Sequence, residues 1–279
     1  MKIIFISLVL ILCLNTLNLA QYKIHPTLTT FNSGEYVSHD SSESAFAKKT
    51  GTLLAKKQTK VILATSGAMI LCMSVLDEQI DEEYAREDDY TIVKFLREFG
   101  RIGNVYDHNE SYYAIAGLSA AAVGYGLLTN RPKPVETVKL MAESWICTSI
   151  IGTSLKVIVG RHRPYLNDGP TRFSVFNVKR DASMMSFPSG HTSSVLSLMT
   201  VVAKQYDHWW VKYPAYAFAT SVGFQRMLYR KHWASDVIAG GMLGYLTGSW
   251  VVKLHQPHDA HYTFAPYVAN NCFGLTIQF

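Results

Sequence analysis

Three short stretches of the chain carry side chains suited to holding and transforming an anion. The first is Lys156-Val157-Ile158-Val159-Gly160-Arg161-His162-Arg163-Pro164. Lys156 and Arg163 are seven positions apart, two helical turns, and share a face if the helix persists that far. Pro164 disfavours helix at Arg163 and turns the chain into a loop. A guanidinium offers a planar fork to oxyanion oxygens, and an ammonium a point charge. The plain alternative is a cationic cap on a helix C-terminus. The second stretch is Ser186-Phe187-Pro188-Ser189-Gly190-His191, ahead of an apolar helix. Ser189 can cap that helix, whose first free amides form a ready oxyanion site. His191 would sit beside a bound anion and can donate a proton. The plain alternative is a serine cap with an incidental histidine. The third runs from Arg226 to Asp236 and contains His232. If the final helix starts near His232, Asp236 is one turn on and on the same side. A carboxylate there accepts a proton from one imidazole nitrogen and leaves the other as nucleophile or base. The plain alternative is a structural His–Asp hydrogen bond.

Together the three say more. Each lies at the mouth of an expected helix, and short antiparallel connections bring alternate mouths to one end of a bundle. Lys156, Arg163 and Arg226 would then surround one pocket with Ser189 and two histidines. That is chemistry for a phosphoester: attack by one histidine, proton donation by the other, charge held by the basic groups. No metal and no cofactor is expected. The ten histidines include none of the common metal spacings, such as His-Glu-x-x-His.

The elements that must position these residues are helices. Phe46–Lys60 reads as an amphipathic helix and Val61–Leu76 as a charge-free one. Asp77–Asp89 carries eight acids against one base, Arg86, and reads as a solvated loop or helix face without calcium-loop spacing. Ser111–Leu128 is apolar and ends at a proline-bearing turn, Thr129 to Pro134. Val135–Val159, Ser189–Gln205, Tyr213–Leu228 and Ala234–Leu254 complete the set, with Gly160–Phe187 a loop. Gly240, Gly241, Gly244 and Gly248 fall on one helix face and permit close helix contact. Apolar residues alternate at Phe273, Leu275, Ile277 and Phe279, which suits a short strand.

The chain has 279 residues, enough for one sizeable domain, with 48% hydrophobic and 17% charged residues and a mean hydropathy of +0.07. Wholesale disorder is excluded. Net charge is +5, without the long basic run or finger spacing that nucleic acid would need. Met1-Lys2 followed by the apolar residues Ile3–Leu14 has the pattern of a signal peptide cleaved after Ala20. An uncleaved anchor helix is the alternative. The expected organisation is signal peptide 1–20, polar lead-in and amphipathic helix 21–60, catalytic domain 61–255 and tail 256–279. Cleavage leaves three scattered cysteines, no disulfide framework; Cys72 and Cys147 are expected to pack in apolar surroundings.

The three clusters resemble the signature motifs of the type 2 phosphatidic acid phosphatase (PAP2) family, which includes bacterial acid phosphatases and vanadium haloperoxidases. Lys156, Arg163 and Pro164 match the first motif, Pro188-Ser189-Gly190-His191 the second, and Arg226, His232 and Asp236 the third. The family has Ser before that arginine; this chain has Gln225. The resemblance covers Lys156 to about Gly248. It implies an all-α helical bundle of about six core helices with the active site at one end. It makes His232 the nucleophile forming a phosphohistidine, Asp236 its orienter and His191 the general acid. Lys156, Arg163, Ser189, Gly190 and Arg226 would hold phosphoryl oxygens. Arg161, His162, Arg230 and Lys231 either draw in a polyanionic head group or keep the loop wet.

The resemblance leaves open a lipid phosphatase of the membrane, acting on a phosphorylated lipid at the periplasmic face, and a soluble periplasmic acid phosphatase. A non-catalytic phospholipid-binding or transport protein and a vanadate-dependent haloperoxidase are further uses of the scaffold. The substrate classes are undecaprenyl pyrophosphate, phosphatidylglycerophosphate, phosphatidate, a lipid A phosphate or small esters. No nucleic acid and no obligate protein partner is expected. Helix parity bears on topology. With a cleaved signal and every helix from Val61 spanning, the motifs face the cytoplasm, against the family. The conflict vanishes if Val61–Leu76 does not span or the protein is soluble. With five spans, Arg131, Lys133, Lys139, Lys204, Lys212 and Lys253 fall inside, as positive charge tends to.

Overall fold

A computed structural model describes residues 57–85, 91–107, 109–177, 181–255, 263–269 and 272–278. The expected signal peptide 1–20, and the part of segment 21–60 before Lys57, lie outside the described residues. Seven helices follow in order: α1 Lys57–Ala85, α2 Thr91–Ile102, α3 Asn109–Leu128, α4 Pro132–Val159, α5 Gly190–Gln205, α6 Trp209–Leu228 and α7 Ala234–His255. Short 3-10 turns occupy Gly103–Tyr106, Pro164–Leu166 and Ala182–Met184. Ala64–Val252 forms one compact unit that holds all three clusters. The residues from Lys253 on belong to a second unit, with an antiparallel hairpin of β1 Thr263–Ala269 and β2 Cys272–Gln278. The expected terminal strand is β2. Its partner β1 was not anticipated, since Pro266 and two alanines dilute the alternation.

The architecture is the expected all-α bundle. α1 runs through Val61–Leu76 and on into the acidic stretch, which is therefore not simply a solvated face. Asp77 is buried, and Asp81 pairs with Arg230 at 2.6 Å. The spacing of these two acids, four apart, puts them on the side of α1 that meets the motifs. α2 was not anticipated. It buries Val93, Leu96 and Gly100, and Tyr84 donates its hydroxyl to the Leu96 carbonyl at 3.0 Å. A methyl on Gly103 would lie 2.7 Å from the Ser221 carbonyl oxygen, so the turn after α2 rests directly on α6.

α4 starts on a proline, whose missing N–H is no loss in a first turn. It ends at Gly160, held left-handed at φ 57°. A side chain there would also strike the Ser174 carbonyl. The inner stripe of α4 is Thr137, Leu140, Ser144, Thr148 and Gly152, while Trp145, Ile146, Ile150 and Ile158 are exposed. The glycine face of α7 behaves as expected. Cβ atoms built on Gly240 and Gly244 would lie 2.4 Å from the Ser189 carbonyl oxygen and 2.2 Å from that of Ser193. α7 and α5 therefore touch backbone to backbone, which fixes the second motif against the third. Cys72 is exposed on α1 rather than packed, and Cys147 is half-buried.

Gly244→Ala should destabilise the protein by about 1–3 kcal/mol, because the blocking atom is backbone and cannot rotate away. Gly67→Ala, in α1 with nothing within 4 Å, should be neutral or stabilising by about 0.5–1 kcal/mol. Thermal midpoints in detergent check the pair.

Candidate active site

The α4 C-terminus, the α5 N-terminus and the segment ahead of α7 share a cavity of about 290 Å³. Its wall includes Lys156, Arg163, Gly190, His191 and His232, with Tyr106 at one side and Trp145, Ser149 and Gly152 of α4 at another. The helix does not persist from Lys156 to Arg163 as their spacing allowed. The chain reverses at Gly160, and Arg163 is extended at φ −83°, ψ 152°, as the following proline requires. Both residues nevertheless line the cavity, because the reversal returns the loop to the helix end. Lys156 Nζ donates to the Met185 carbonyl at 2.8 Å. The Nε–H of Arg163 is buried and finds no hydrogen-bond partner among the described residues.

His232 is 3% exposed. Its Nδ1 lies 2.7 Å from the Ser186 carbonyl oxygen. A carbonyl can only accept, so Nδ1 carries the proton and Nε2 the lone pair. Burial first, then the charges of Lys156, Arg163 and Arg226, hold the His232 pKa well below 6.5. The ring is thus neutral, with a nucleophilic nitrogen left for the cavity.

Asp236 stands 4.0 Å from His232 Nδ1, beyond a direct hydrogen bond. Its Oδ2 instead accepts from the Ser186 hydroxyl at 2.5 Å and the Trp233 amide at 3.0 Å. The Trp233 contact is one half of a capping box, which places an acid in the third position of α7 for reasons local to the helix. Oδ1 accepts from Arg161 Nη1 at 2.6 Å. The carboxylate thus acts on His232 through Ser186.

Ser189 precedes α5, but its hydroxyl does not cap the helix; it lies 2.9 Å from Thr192 Oγ1. Its amide donates to the Asp236 carbonyl at 2.9 Å, and the residue stands behind the cavity wall. Arg226 also stands behind the wall. Its Nε donates to Gln225 Oε1 at 2.5 Å, and Nη2 pairs with Asp107. His191 lies on the wall, with Nε2 3.7 Å from Asp107 Oδ1. Burial and the Arg226 charge lower its pKa to about 4, against the opposing pull of Asp107.

Of the four extra basic residues three pair with carboxylates, and the fourth, Lys231, is exposed. Arg161 is 4% exposed and bonds Asp77 at 2.8 Å, Asp236, Ser235 Oγ and the Pro170 carbonyl. His162 lies between Asp168 and Ser174, Arg230 pairs with Asp81, and Lys231 sits over the Tyr165 ring at 5.2 Å. Sequence reasoning missed Asp77, Ser186 as a positioning group, and Asp107. Asp77 was masked by its place in an acidic run. Ser186 contributes through a backbone carbonyl, which no sequence displays. Asp107 had one available signal, an Asn-x-x-Asp turn between apolar helices.

With this geometry in place, residues 137–259 match the model of the PAP2 superfamily. Over that segment the chain is similar to the superfamily whose motifs the three clusters resemble. A lipid A 1-phosphatase of Porphyromonas gingivalis is 34% identical over 74 residues, 25% of this chain and 17% of that protein. The crystal structure of Aquifex aeolicus LpxE is similar over 64% of this chain and 95% of that one, with 20% identity and a TM-score of 0.45. That of a transmembrane PAP2 type phosphatidylglycerolphosphate phosphatase from Bacillus subtilis covers 68% and 94%, with 15% identity and a TM-score of 0.43.

Arg161 neutralises two buried carboxylates. Arg161→Met should destabilise the fold by about 3–5 kcal/mol, since both acids lose their counter-ion. Asp77→Asn leaves a one-to-one pair of Arg161 with Asp236 and should cost clearly less. Denaturant midpoints of the two variants test the order.

Proposed function

We propose that this chain is a phosphatase that cleaves phosphomonoesters through a phosphohistidine at His232, acting on a phosphorylated lipid at a membrane surface. The observation that carries the chemistry is His232 itself, a buried neutral imidazole with Nδ1–H tied to a carbonyl. Its Nε2 shares a cavity with Lys156, Arg163 and His191. The buried Nε–H of Arg163, without a hydrogen-bond partner among the described residues, fits the same reading, because a phosphoryl oxygen in the cavity would supply its acceptor.

In the first step Nε2 attacks phosphorus, the ester P–O bond breaks, and His191 passes a proton to the leaving oxygen. Lys156, Arg163 and the Gly190 amide hold the equatorial oxygens. Ser189 and Arg226 join them by exchanging their present partners. The phosphorylated ring keeps its Nδ1 proton, and the Ser186 carbonyl and Asp236 stabilise the positive charge. In the second step neutral His191 takes a proton from water as the water attacks phosphorus. Phosphate leaves and His232 is restored.

The membrane reading rests on α4. A helix in a soluble bundle turns its apolar stripe inward. α4 instead buries Thr137, Ser144, Thr148 and Gly152, with Leu140 the one large apolar residue of that stripe, and leaves Ile150 63% exposed. That is the arrangement of a helix facing lipid, where small and polar residues make the helix contacts. Among the described residues α4 and α7 are long and apolar enough to span, Tyr113–Leu128 of α3 is a shorter apolar stretch, and α1, α5 and α6 do not meet that length and composition. At 28 residues α4 is about 42 Å long, enough to cross a hydrocarbon core. Arg131, Lys133, Lys204 and Lys212 lie toward the helix ends remote from the site, and Trp209 and Trp210 near Lys212 are exposed. Basic residues with an aromatic belt suit the cytoplasmic interface and leave the site facing outward. The soluble acid phosphatase reading has no such use for the outer face of α4.

Two results test this. Purified protein should release inorganic phosphate in detergent and EDTA from at least one lipid among phosphatidate, phosphatidylglycerophosphate, lipid A phosphate and undecaprenyl pyrophosphate. Release should exceed that from para-nitrophenyl phosphate and vanish in His232→Ala; faster release from the soluble ester would favour the soluble reading. The second concerns pH. The first step needs neutral His232 and one transferable proton in the pair of His191 and substrate. His191 is neutral above about pH 4, so the proton must arrive on the substrate's phosphate, whose second pKa is about 6. Measured on a soluble alkyl phosphate from pH 4 to 9, kcat/KM should fall about tenfold per unit above pH 6. A flat profile to pH 8 would contradict this proton count.

A further inference from the structure

We propose that Gln225 is a positioning residue that aims Asp107 at His191 and Arg226, placing a carboxylate beside the general acid. The proposal rests on the phosphatase reading above and concerns the position where this chain departs from the family's serine.

Gln225 is 1% exposed. Its Nε2 donates to Asn104 Oδ1 at 3.1 Å and to Asp107 Oδ2 at 3.0 Å, and its Oε1 accepts from Arg226 Nε at 2.5 Å. Two donors and an acceptor on one planar group are needed for this, and a serine hydroxyl has neither the number nor the reach. The partners are held in place independently. Gly100 and Gly103 let α2 and its turn rest on α6, and a Cβ on Gly103 would lie 2.9 Å from Gln225 Cβ. Asn104 and Asp107 are thereby set over the carboxamide.

With Oδ2 fixed by Gln225, Asp107 presents Oδ1 to Arg226 and, at 3.7 Å, to His191 Nε2. That distance is too long for a hydrogen bond, so an Nε2 proton stays deliverable to a leaving group. It is short enough for the charge to favour imidazolium. The other groups acting on His191 are Lys156 from α4, Arg163 from the following loop, Arg226 from α6, His232, and the Tyr106 ring edge at 6.1 Å. Asp107 is the one carboxylate close to His191 among the described residues. Burial disfavours its charge, but the hydrogen bond and charge of Arg226 and the hydrogen bond of Gln225 outweigh that and keep it ionised.

The test separates positioning from mere packing. An activated aryl phosphate departs without a proton, whereas an alkyl phosphate needs one. Turnover of both is measured for the wild type, Gln225→Ala and Asp107→Asn, beside an NMR titration of the His191 ring in the free protein. The ratio of aryl to alkyl turnover should rise at least about tenfold in both variants, a part of the 10²–10⁴ that a positioned acid contributes. The His191 midpoint should fall in both. A midpoint that stays put overturns the proposal whatever the ratio does, and so does an equal loss on both esters. If Gln225→Ala does not fold, Gln225→Met, of similar size but without the amide's donors and acceptor, carries the test beside Asp107→Asn. A wild type that turns over neither ester removes the phosphatase reading, while the titration still decides whether Asp107 acts on His191.

Discussion

The buried carboxylate of Asp236 is the constraint on which the rest of the site depends. Fully enclosed, it must be paired and hydrogen-bonded to be tolerated at all. Its partners come from separate parts of the chain: Arg161 from the loop after α4, Ser186 from the loop before α5, and the Trp233 amide at the start of α7. Arg161 carries the connection on to Asp77 of α1, which in turn accepts the Ser235 amide of α7 at 2.9 Å. Satisfying one charge therefore brings the three motifs to one place. His232 receives its orientation second-hand, from the carbonyl of the serine whose hydroxyl Asp236 holds.

The same economy runs through the bundle. α7 can approach α5 because glycines stand where side chains would collide with backbone oxygens. α4 contacts its neighbours through Thr148, whose hydroxyl lies 2.5 Å from that of Thr247. On α4 small and hydroxylic residues make the helix contacts beside Leu140, while Trp145, Ile146 and Ile150 face outward. The cavity wall continues along α4 from Lys156 through Gly152 and Ser149 to Trp145, so the cavity and the apolar outer face belong to one helix.

Much of this was legible in the residues. Helix ends near Val159, Gln205 and Leu228 followed from composition and breakers, and Lys156, Arg163, Gly190, His191 and His232 do share a cavity. What stayed hidden has physical causes. The reversal at Gly160 depends on a close approach to Ser174, a tertiary fact. Arg161 and Asp77 are 84 positions apart, and each taken alone resembles a surface charge. α2 is the exception, because Val93, Leu96 and Phe99 recur at helical spacing and display its buried face in the residues themselves. Asp236 and His232, one turn apart, invite a direct hydrogen bond, but the intervening Ser186 carbonyl arrives from a segment 46 residues away.

The most direct measurement is to quench turnover of a radiolabelled phosphoester with alkali and map the labelled peptide. The account predicts a base-stable, acid-labile phosphoryl group on the peptide containing His232, formed and lost at rates compatible with turnover and absent in His232→Ala. Sustained phosphate release with no label on that peptide, or with label elsewhere, would contradict it.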